Sequence, residues 1–257
     1  MQPEIDLFGI PIKTFGLCFA LAFLASGALL TRRFRELRWP ADHAAEALLA
    51  ALVGGLVGAR LYWVIDAYDP DKDGGILDSL FGGAGLTWYG GALGGTLAVL
   101  AWAKWRRHFN VTMLGAAAPA LALGYAIGRV GCQISGDGDY GKASDLPWAM
   151  AYPDGVVPTN EQVQPTPIYE TLAMGLAALV LWQLRDRLKP AALFGLYLVF
   201  AGVERFVVEF WRHNSETAAG LTTAQLTSVA MLVVGATVLA VSHRSGGGPA
   251  APAGHPA

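Results

Sequence analysis

Residues 112–134 read TMLGAAAPALALGYAIGRVGCQI, an apolar run that contains one charged side chain, Arg129. A bilayer core of about 30 Å needs roughly 20 apolar residues in a helix. This stretch therefore predicts a membrane-spanning helix, and six others along the chain meet or approach the same length. The seven predicted spans are Thr14–Thr31, Ala44–Ile65, Gly85–Ala103, Thr112–Ile134, Ile168–Leu184, Ala192–Trp211 and Thr222–Ser242.

The composition of the whole chain agrees with a membrane protein. Of 257 residues, 54% are hydrophobic and only 15% are charged, whereas soluble domains carry about 25% charged residues. The same figures exclude a disordered, fibrous or nucleic-acid-binding chain. Cys18 and Cys132 have no second Cys or His at ligand spacing, so we expect neither a metal site nor a disulfide. We predict an all-α, polytopic integral membrane protein with seven transmembrane helices.

The distribution of basic residues predicts the orientation of these helices. Most arginines and lysines between spans lie in the first, third and fifth loops, and cytoplasmic loops are enriched in such residues. We therefore expect the N-terminus outside and the C-terminus in the cytoplasm. Residues 66–84 and 136–167 become long outer loops, where binding sites are common. Residues 1–245 are assigned to one membrane domain and residues 246–257 to a disordered tail.

Several predicted spans contain ionisable side chains, which are costly in a bilayer. An arginine at the centre of a span costs about 2.5–3.5 kcal/mol on insertion scales. Such groups have to face one another or a water-filled cavity. They are Arg60, Arg129, Arg205, Glu46, Glu170, Glu204 and Glu209.

Among these groups, Arg129 is the strongest candidate for ligand binding. Glycines flank it, and a loop rich in glycine and aspartate follows, so a lipid headgroup can approach closely. Its guanidinium can bind phosphate through two parallel hydrogen bonds. Arg205 and Glu209 are one helical turn apart and can pair without any function. Arg60 can also be explained structurally, since its side chain can extend to the outer surface.

Five segments resemble the bacterial prolipoprotein diacylglyceryl transferases. The most specific is GRVGCQISGDGDYG at 128–141. The others are GARLYWVI at 58–65, GLTWYGG at 85–91, PTPIYE at 165–170 and ERFVVEFWR at 204–212. The segments occur in the family's order and extend over nearly the whole chain.

The resemblance implies a transferase of the bacterial inner membrane with its active site towards the outer face. Such enzymes move the diacylglyceryl group of phosphatidylglycerol to the lipobox cysteine thiol in the signal peptide of a preprolipoprotein. They release glycerol 1-phosphate, and this is the first step of lipoprotein maturation. The expected partners are these two substrates and membrane lipids, without nucleic acid. The substrate supplies the nucleophile, and no metal or organic cofactor is implied.

The resemblance also implies roles for individual residues. Arg129 matches the arginine that binds the lipid phosphate, and Arg205 matches a second arginine of the site. Such arginines stabilise the charge that develops on a leaving phosphate. With Tyr89, they are the expected catalytic residues. The expected substrate-binding residues, besides Arg129, are Arg60, Asp137, Gly141, Glu170 and Glu209.

Three positions depart from the family's pattern. Tyr89 stands where a histidine is usual, Phe15 stands where a tyrosine is usual, and Cys132 replaces an asparagine. If the histidine acts as the base, Tyr89 has to replace it, although a free phenol with a pKa of about 10 is a poor base. Two alternatives therefore stay open. One is a divergent relative that uses the phospholipid site for another acceptor, and the other is an anion transporter.

Overall fold

A computed structural model describes residues 1–7, 9–66, 87–214, 216–218 and 220–244 of the chain. Seven helices make up most of these residues, at the positions that the apolar runs predicted. They are α1 (Thr14–Glu36), α2 (Asp42–Asp66), α3 (Trp88–Trp105), α4 (Val111–Ser135), α5 (Thr166–Leu184), α6 (Pro190–Val208) and α7 (Thr223–Arg244), and a 3-10 turn at Glu209–Trp211 follows α6.

Six of these helices are long and apolar enough to cross a membrane, which makes the chain a multi-pass membrane protein. The helix that falls short, within the described part of the chain, is α3. It has 18 residues, and they include two glycine pairs, Lys104 and three tryptophans. A seventh span, and the orientation of the termini, stay predictions.

The prediction of a helical membrane protein is confirmed in its coarser form, because the described residues are mostly helical. Short strands, which were not predicted from the sequence, form three antiparallel hairpins. Each strand has two to five residues, which is too short for the alternation of apolar and polar residues that marks a strand in sequence. The pairs are β1 (Glu4–Leu7) with β2 (Ile10–Lys13), β3 (Met150–Tyr152) with β4 (Thr159–Val163), and β5 (Glu216–Ala218) with β6 (Leu221–Thr222).

Of the two predicted outer loops, 136–167 is described in full and contains the β3–β4 hairpin. The other, 66–84, lies outside the described residues beyond Asp66, and so does the predicted tail, 246–257. Contacts divide the chain into two compact units, each of which is described by itself. The first unit is Met1–Arg33 with Val111–Ala257, and the second is Phe34–Asn110.

Glycines allow close packing of α2 against α3 in the second unit. A side chain on Gly58 would overlap with the backbone of Gly90 and Gly94 on the facing helix. Small residues at such positions let the backbones of membrane helices approach each other closely.

In the first unit, α4 packs against α5 and α6. Fully buried small and apolar residues form the centre of this packing, among them Ala118 and Ala122 of α4 with Leu181 of α5. Leu193 of α6 belongs to the same core. This packing brings together the end of α4, the start of α5 and the end of α6, where the ionisable side chains lie.

Candidate active site

A cluster of ion pairs forms around Glu170, whose side chain is completely buried on α5. The Nε atom of Arg129, from α4, lies 3.1 Å from Glu170 Oε2. The Nη1 atom of Arg205, from α6, lies 3.1 Å from Glu170 Oε1. Arg212, which follows the 3-10 turn, has its Nη1 atom 3.8 Å from Oε2. One carboxylate therefore faces three guanidinium groups.

The local structure of the helices favours this arrangement of charges. Pro167 lies in the first turn of α5, where its fixed φ angle suits a helix start. Glu170 follows in the second turn of α5, and Arg205 is in the last turn of α6. A helix dipole stabilises a basic side chain in the last turn, which favours Arg205 at its position.

Two further carboxylates balance the arginines. Asp139, in the loop after α4, pairs with both Arg129 and Arg212. Glu209 Oε2 lies 2.8 Å from Arg205 Nη2, which confirms the pairing predicted from their spacing. The three carboxylates match the three arginines in number, so this ion-pair network carries no excess charge.

Asp139 lies outside the membrane-spanning helices, and its arginines keep it ionised. Burial by itself would raise the pKa of the Asp139 carboxyl, but Arg129 and Arg212 outweigh burial and hold that pKa below its usual range. The backbone carbonyl of Asp139 also accepts a hydrogen bond of 2.6 Å from Thr166 Oγ1. The loop is thereby attached to the start of α5.

Neutral side chains hold the two helix-borne carboxylates in place. The Tyr125 hydroxyl donates to Glu170 Oε1 at 3.0 Å. Glu209 Oε1 accepts hydrogen bonds of 2.7 Å from Asn214 and from Thr222. By contrast, Arg212 Nη1 is buried and makes no hydrogen bond within the described residues. The charge of this group is nevertheless balanced, because Arg212 Nη1 lies 3.8 Å from Glu170 Oε2.

The structure gives Gly141 a packing role beside the cluster. Its backbone N–H donates to the carbonyl of Gln164 at 2.8 Å. A Cβ atom at this position would lie only 2.9 Å from Gln164 Cβ and 3.0 Å from Thr166 Cγ2. Glycine thus allows the loop to lie against the start of α5.

Asp137 lies next to the ion-pair network, where its Oδ1 atom accepts a hydrogen bond from the backbone N–H of Asp139 at 3.2 Å. Cys132, Asp137 and Asp139 bring potential metal-ligand atoms within 4.8 Å of one another. A positive charge already faces this group, because Arg129 pairs with Asp139 and its Nη1 atom lies 3.6 Å from Cys132 Sγ. Arg129 therefore supplies a positive charge to this group of ligand atoms.

Tyr89 and Arg60 belong to the second unit. Tyr89 is the second residue of α3, and its surface is 46% exposed. Arg60 is buried on α2, with its guanidinium carbon 4.9 Å from the centre of the Trp63 ring. The structure thus brings four of the predicted site residues into the ion-pair network of the first unit and places Asp137 and Gly141 beside it, while the roles of all these residues, and of Tyr89 and Arg60, stay predictions. The four are Arg129, Glu170, Arg205 and Glu209.

The cluster has two members that were not predicted from the sequence, Asp139 and Arg212. Both lie in loops, where a charged residue is ordinary. Both residues could have been found from the segments that resemble the transferase family. Asp139 lies in the segment 128–141, and Arg212 is the last residue of the segment 204–212.

Known proteins similar to this chain share one description. The family model described as prolipoprotein diacylglyceryl transferase matches residues 4–241. A phosphatidylglycerol–prolipoprotein diacylglyceryl transferase from Clostridium tetani is 31% identical over 240 residues, which cover 91% of this chain and 95% of the relative. The protein of that name from Methylococcus capsulatus is 31% identical over 262 residues, with coverage of 95% and 96%. The Finegoldia magna protein is 32% identical over 233 residues, with coverage of 90% and 91%.

Proposed function

The chain belongs to the prolipoprotein diacylglyceryl transferase family, and we propose that the cluster around Glu170 holds the phosphate of phosphatidylglycerol while the diacylglyceryl group is transferred to a prolipoprotein. The acceptor is the thiol of the lipobox cysteine. A sulfur–carbon bond forms at the glycerol carbon, and the bond from that carbon to the phosphate oxygen breaks. The electron pair leaves with the phosphate, so glycerol 1-phosphate is the second product.

The observation that carries this proposal is the convergence of three guanidinium groups on one buried carboxylate. Guanidinium groups bind phosphate through charge-assisted hydrogen bonds. In a site with little water, they also stabilise the charge that a leaving phosphate gains. The sequence also allowed a relative with another acceptor or an anion transporter. Membership of the family favours transfer from phosphatidylglycerol to a prolipoprotein.

A phosphate has to compete with the carboxylates that already hold the arginines. Glu170 and Glu209 have fully buried side chains, whereas the Asp139 side chain is 29% exposed and lies in a loop. We infer that the phosphate displaces Asp139 from Arg129 and Arg212.

In this proposal, the other residues predicted to bind substrate act through their neighbours. Glu170 and Glu209 orient the arginines, Gly141 allows the loop to pack, and Asp137 positions the backbone next to Asp139. Tyr89, on the second unit, keeps its predicted role as the acid–base group for the incoming thiol. Arg60, on the same unit, is proposed as a further contact for the anionic lipid.

We also propose that the protein lies in the inner membrane with the cluster towards the outer face. The basic loops predicted on the opposite side support this orientation. A reporter fused after Lys189 should then be cytoplasmic, and one inserted near Gly155 should be external. Reversed accessibility at either position would contradict the proposed orientation.

The test of the function is transfer by the purified full-length protein in vesicles. With phosphatidylglycerol vesicles and a lipobox-cysteine peptide, we expect thioether-linked peptide and glycerol 1-phosphate in equal amounts. Vesicles of phosphatidylcholine alone, or a peptide with serine in place of cysteine, are the controls and should give neither product. The gene should also rescue cells depleted of their own diacylglyceryl transferase. Glycerol 1-phosphate without modified peptide would indicate a different acceptor.

A further inference from the structure

An apolar groove with a volume of about 570 Å³ lies in the first unit. Its lining contains no charged residue. Trp148 and Leu172, on opposite walls, are 56% and 67% exposed, so the groove is open to an incoming molecule. One wall includes Trp148, Ala149 and Met150, and the other includes Ile168, Tyr169 and Leu172 of α5.

The first wall is attached to the helix that carries Arg129. Gln133 lies one turn after Arg129 on α4, and its side chain contacts two residues of β3. The Gln133 Nε2 atom is 3.1 Å from Met150 Sδ, and its Oε1 atom accepts a hydrogen bond of 3.0 Å from the Tyr152 hydroxyl. Burial raises the pKa of Tyr152 to about 12, so this hydroxyl keeps its proton at neutral pH.

The second wall is attached to the cluster through α5. Tyr169 directly precedes Glu170, and its ring packs edge-on against Trp211, with ring centres 5.7 Å apart. Trp211 in turn precedes Arg212. The Tyr169 hydroxyl also accepts a hydrogen bond of 2.7 Å from Trp148 Nε1, which joins the two walls. Side-chain contacts therefore hold the two walls together, and each wall is connected to an element that carries a residue of the cluster.

A strand with an unpaired edge begins at this groove. β3 starts at Met150, which lines the groove, and pairs with β4 on one side. Among the described residues, no strand pairs with the other edge of β3. Free edges take up extended peptides, in which backbone hydrogen bonds give affinity and pockets for alternate side chains give specificity.

We propose that an extended apolar segment of the prolipoprotein, next to its acceptor cysteine, adds to the edge of β3 and places side chains in the groove. This proposal rests on the proposed function, because it assigns the second substrate to a surface beside the phosphate site. An uncharged groove suits an uncharged segment. A strand edge suits a peptide in particular, since an acyl chain has no backbone donors or acceptors for it.

The first test compares Michaelis constants of full-length variants in phosphatidylglycerol vesicles. Trp148→Ala and Leu172→Ala should each raise KM for a lipobox-cysteine peptide, by about tenfold for the tryptophan, because large buried aromatic contacts dominate peptide interfaces. KM for phosphatidylglycerol and kcat should stay at the wild-type values. Leu176→Ala is the matched control, since Leu176 is 63% exposed one turn further along α5 and does not line the groove.

The second test uses the wild-type enzyme, so it does not depend on the folding of a variant. Acceptor peptides carry a single backbone N-methyl group at successive positions before the cysteine. Strand addition predicts that methylation at alternate positions raises KM, whereas the positions between them tolerate it, because successive N–H groups point to opposite sides of a strand.

Two results would overturn the proposal. If Trp148→Ala raises KM for phosphatidylglycerol and leaves KM for the peptide unchanged, the groove holds an acyl chain. If N-methylation has no alternating effect, the peptide does not add to β3. Neither result contradicts the proposed phosphate site. That site is tested separately, by the requirement of the transfer reaction for phosphatidylglycerol and by the transfer rates of Arg129 variants.

Discussion

Arg129 Nε and Glu170 Oε2 lie 3.1 Å apart and join the end of α4 to the start of α5. The other end of the same guanidinium pairs with Asp139 in a loop. Glu170, on a helix, thus holds Arg129 in position. Asp139, in a loop, pairs with the part of the Arg129 guanidinium that faces away from Glu170. In the proposed function, a phosphate replaces the loop carboxylate while Glu170 continues to hold Arg129.

Glu170→Gln should strongly destabilise the protein. The substitution keeps the shape of the side chain but leaves three guanidinium groups with two carboxylates, and breaking a buried ion pair costs about 3–5 kcal/mol. Thermal unfolding of the purified variant in detergent should show a clearly lower midpoint. Glu161→Gln, on an exposed position of β4, is the matched control. Equal midpoints for both variants and the wild type would show that Glu170 is not the centre of the network.

Asp139 should make stability depend on acidic pH. Because its folded-state pKa is lowered, its contribution is present above the ordinary value of about 3.9 and is lost as pH falls through the folded-state pKa. Asp139→Asn removes this contribution. The difference in unfolding midpoint between wild type and variant should therefore be constant above about pH 5 and shrink as the pH falls from about 5 to 3. A constant difference over this range would contradict the ion pairing of Asp139.

The same variant should bind the lipid more tightly. If phosphate displaces Asp139 from Arg129 and Arg212, then Asp139→Asn removes the competitor, and KM for phosphatidylglycerol should fall severalfold. Asp154→Asn, at an exposed position of the β3–β4 turn, should leave KM unchanged. A rise in KM for Asp139→Asn alone would mean that this carboxylate orients the arginines and does not compete with the ligand.

Tyr89→Phe separates an acid–base role from a passive one, because it removes only the hydroxyl. If Tyr89 takes the proton from the thiol, the transfer rate should fall about 100-fold or more. A single lost hydrogen bond would change the rate by about tenfold at most. Rates from phosphatidylglycerol to a lipobox-cysteine peptide are to be compared at several pH values. A transfer rate close to that of the wild type at every pH tested would show that Tyr89 does not act as an acid or base.

The seven helices were predictable because a long apolar segment in a bilayer forms a helix, in which the backbone satisfies its own hydrogen bonds. The hairpins were not, since β3 has three residues and lies in a polar loop without periodicity. The sequence therefore predicted the helices without these hairpins, and the edge of β3 became visible only in the structure.

The candidate site was predictable where charges lie inside spans. Arg129, Glu170, Arg205 and Glu209 have to find partners because unpaired ions in a bilayer are costly. Asp139 and Arg212 follow no such rule, because charged residues in loops can be solvated. These two residues join the cluster because their loops fold back onto α5. The spacing of residues along the sequence does not predict that folding.

The most direct test of the phosphate site is the transfer rate of purified Arg129→Ala and Arg129→Lys in phosphatidylglycerol vesicles. Both should lose about 100-fold or more, since lysine offers a point charge and not a planar fork of donors. The loss should occur while the variants remain inserted and folded, as judged by a cooperative thermal transition. A folded Arg129→Ala protein that transfers the diacylglyceryl group at nearly the wild-type rate would contradict the assignment of this cluster as the phosphate site.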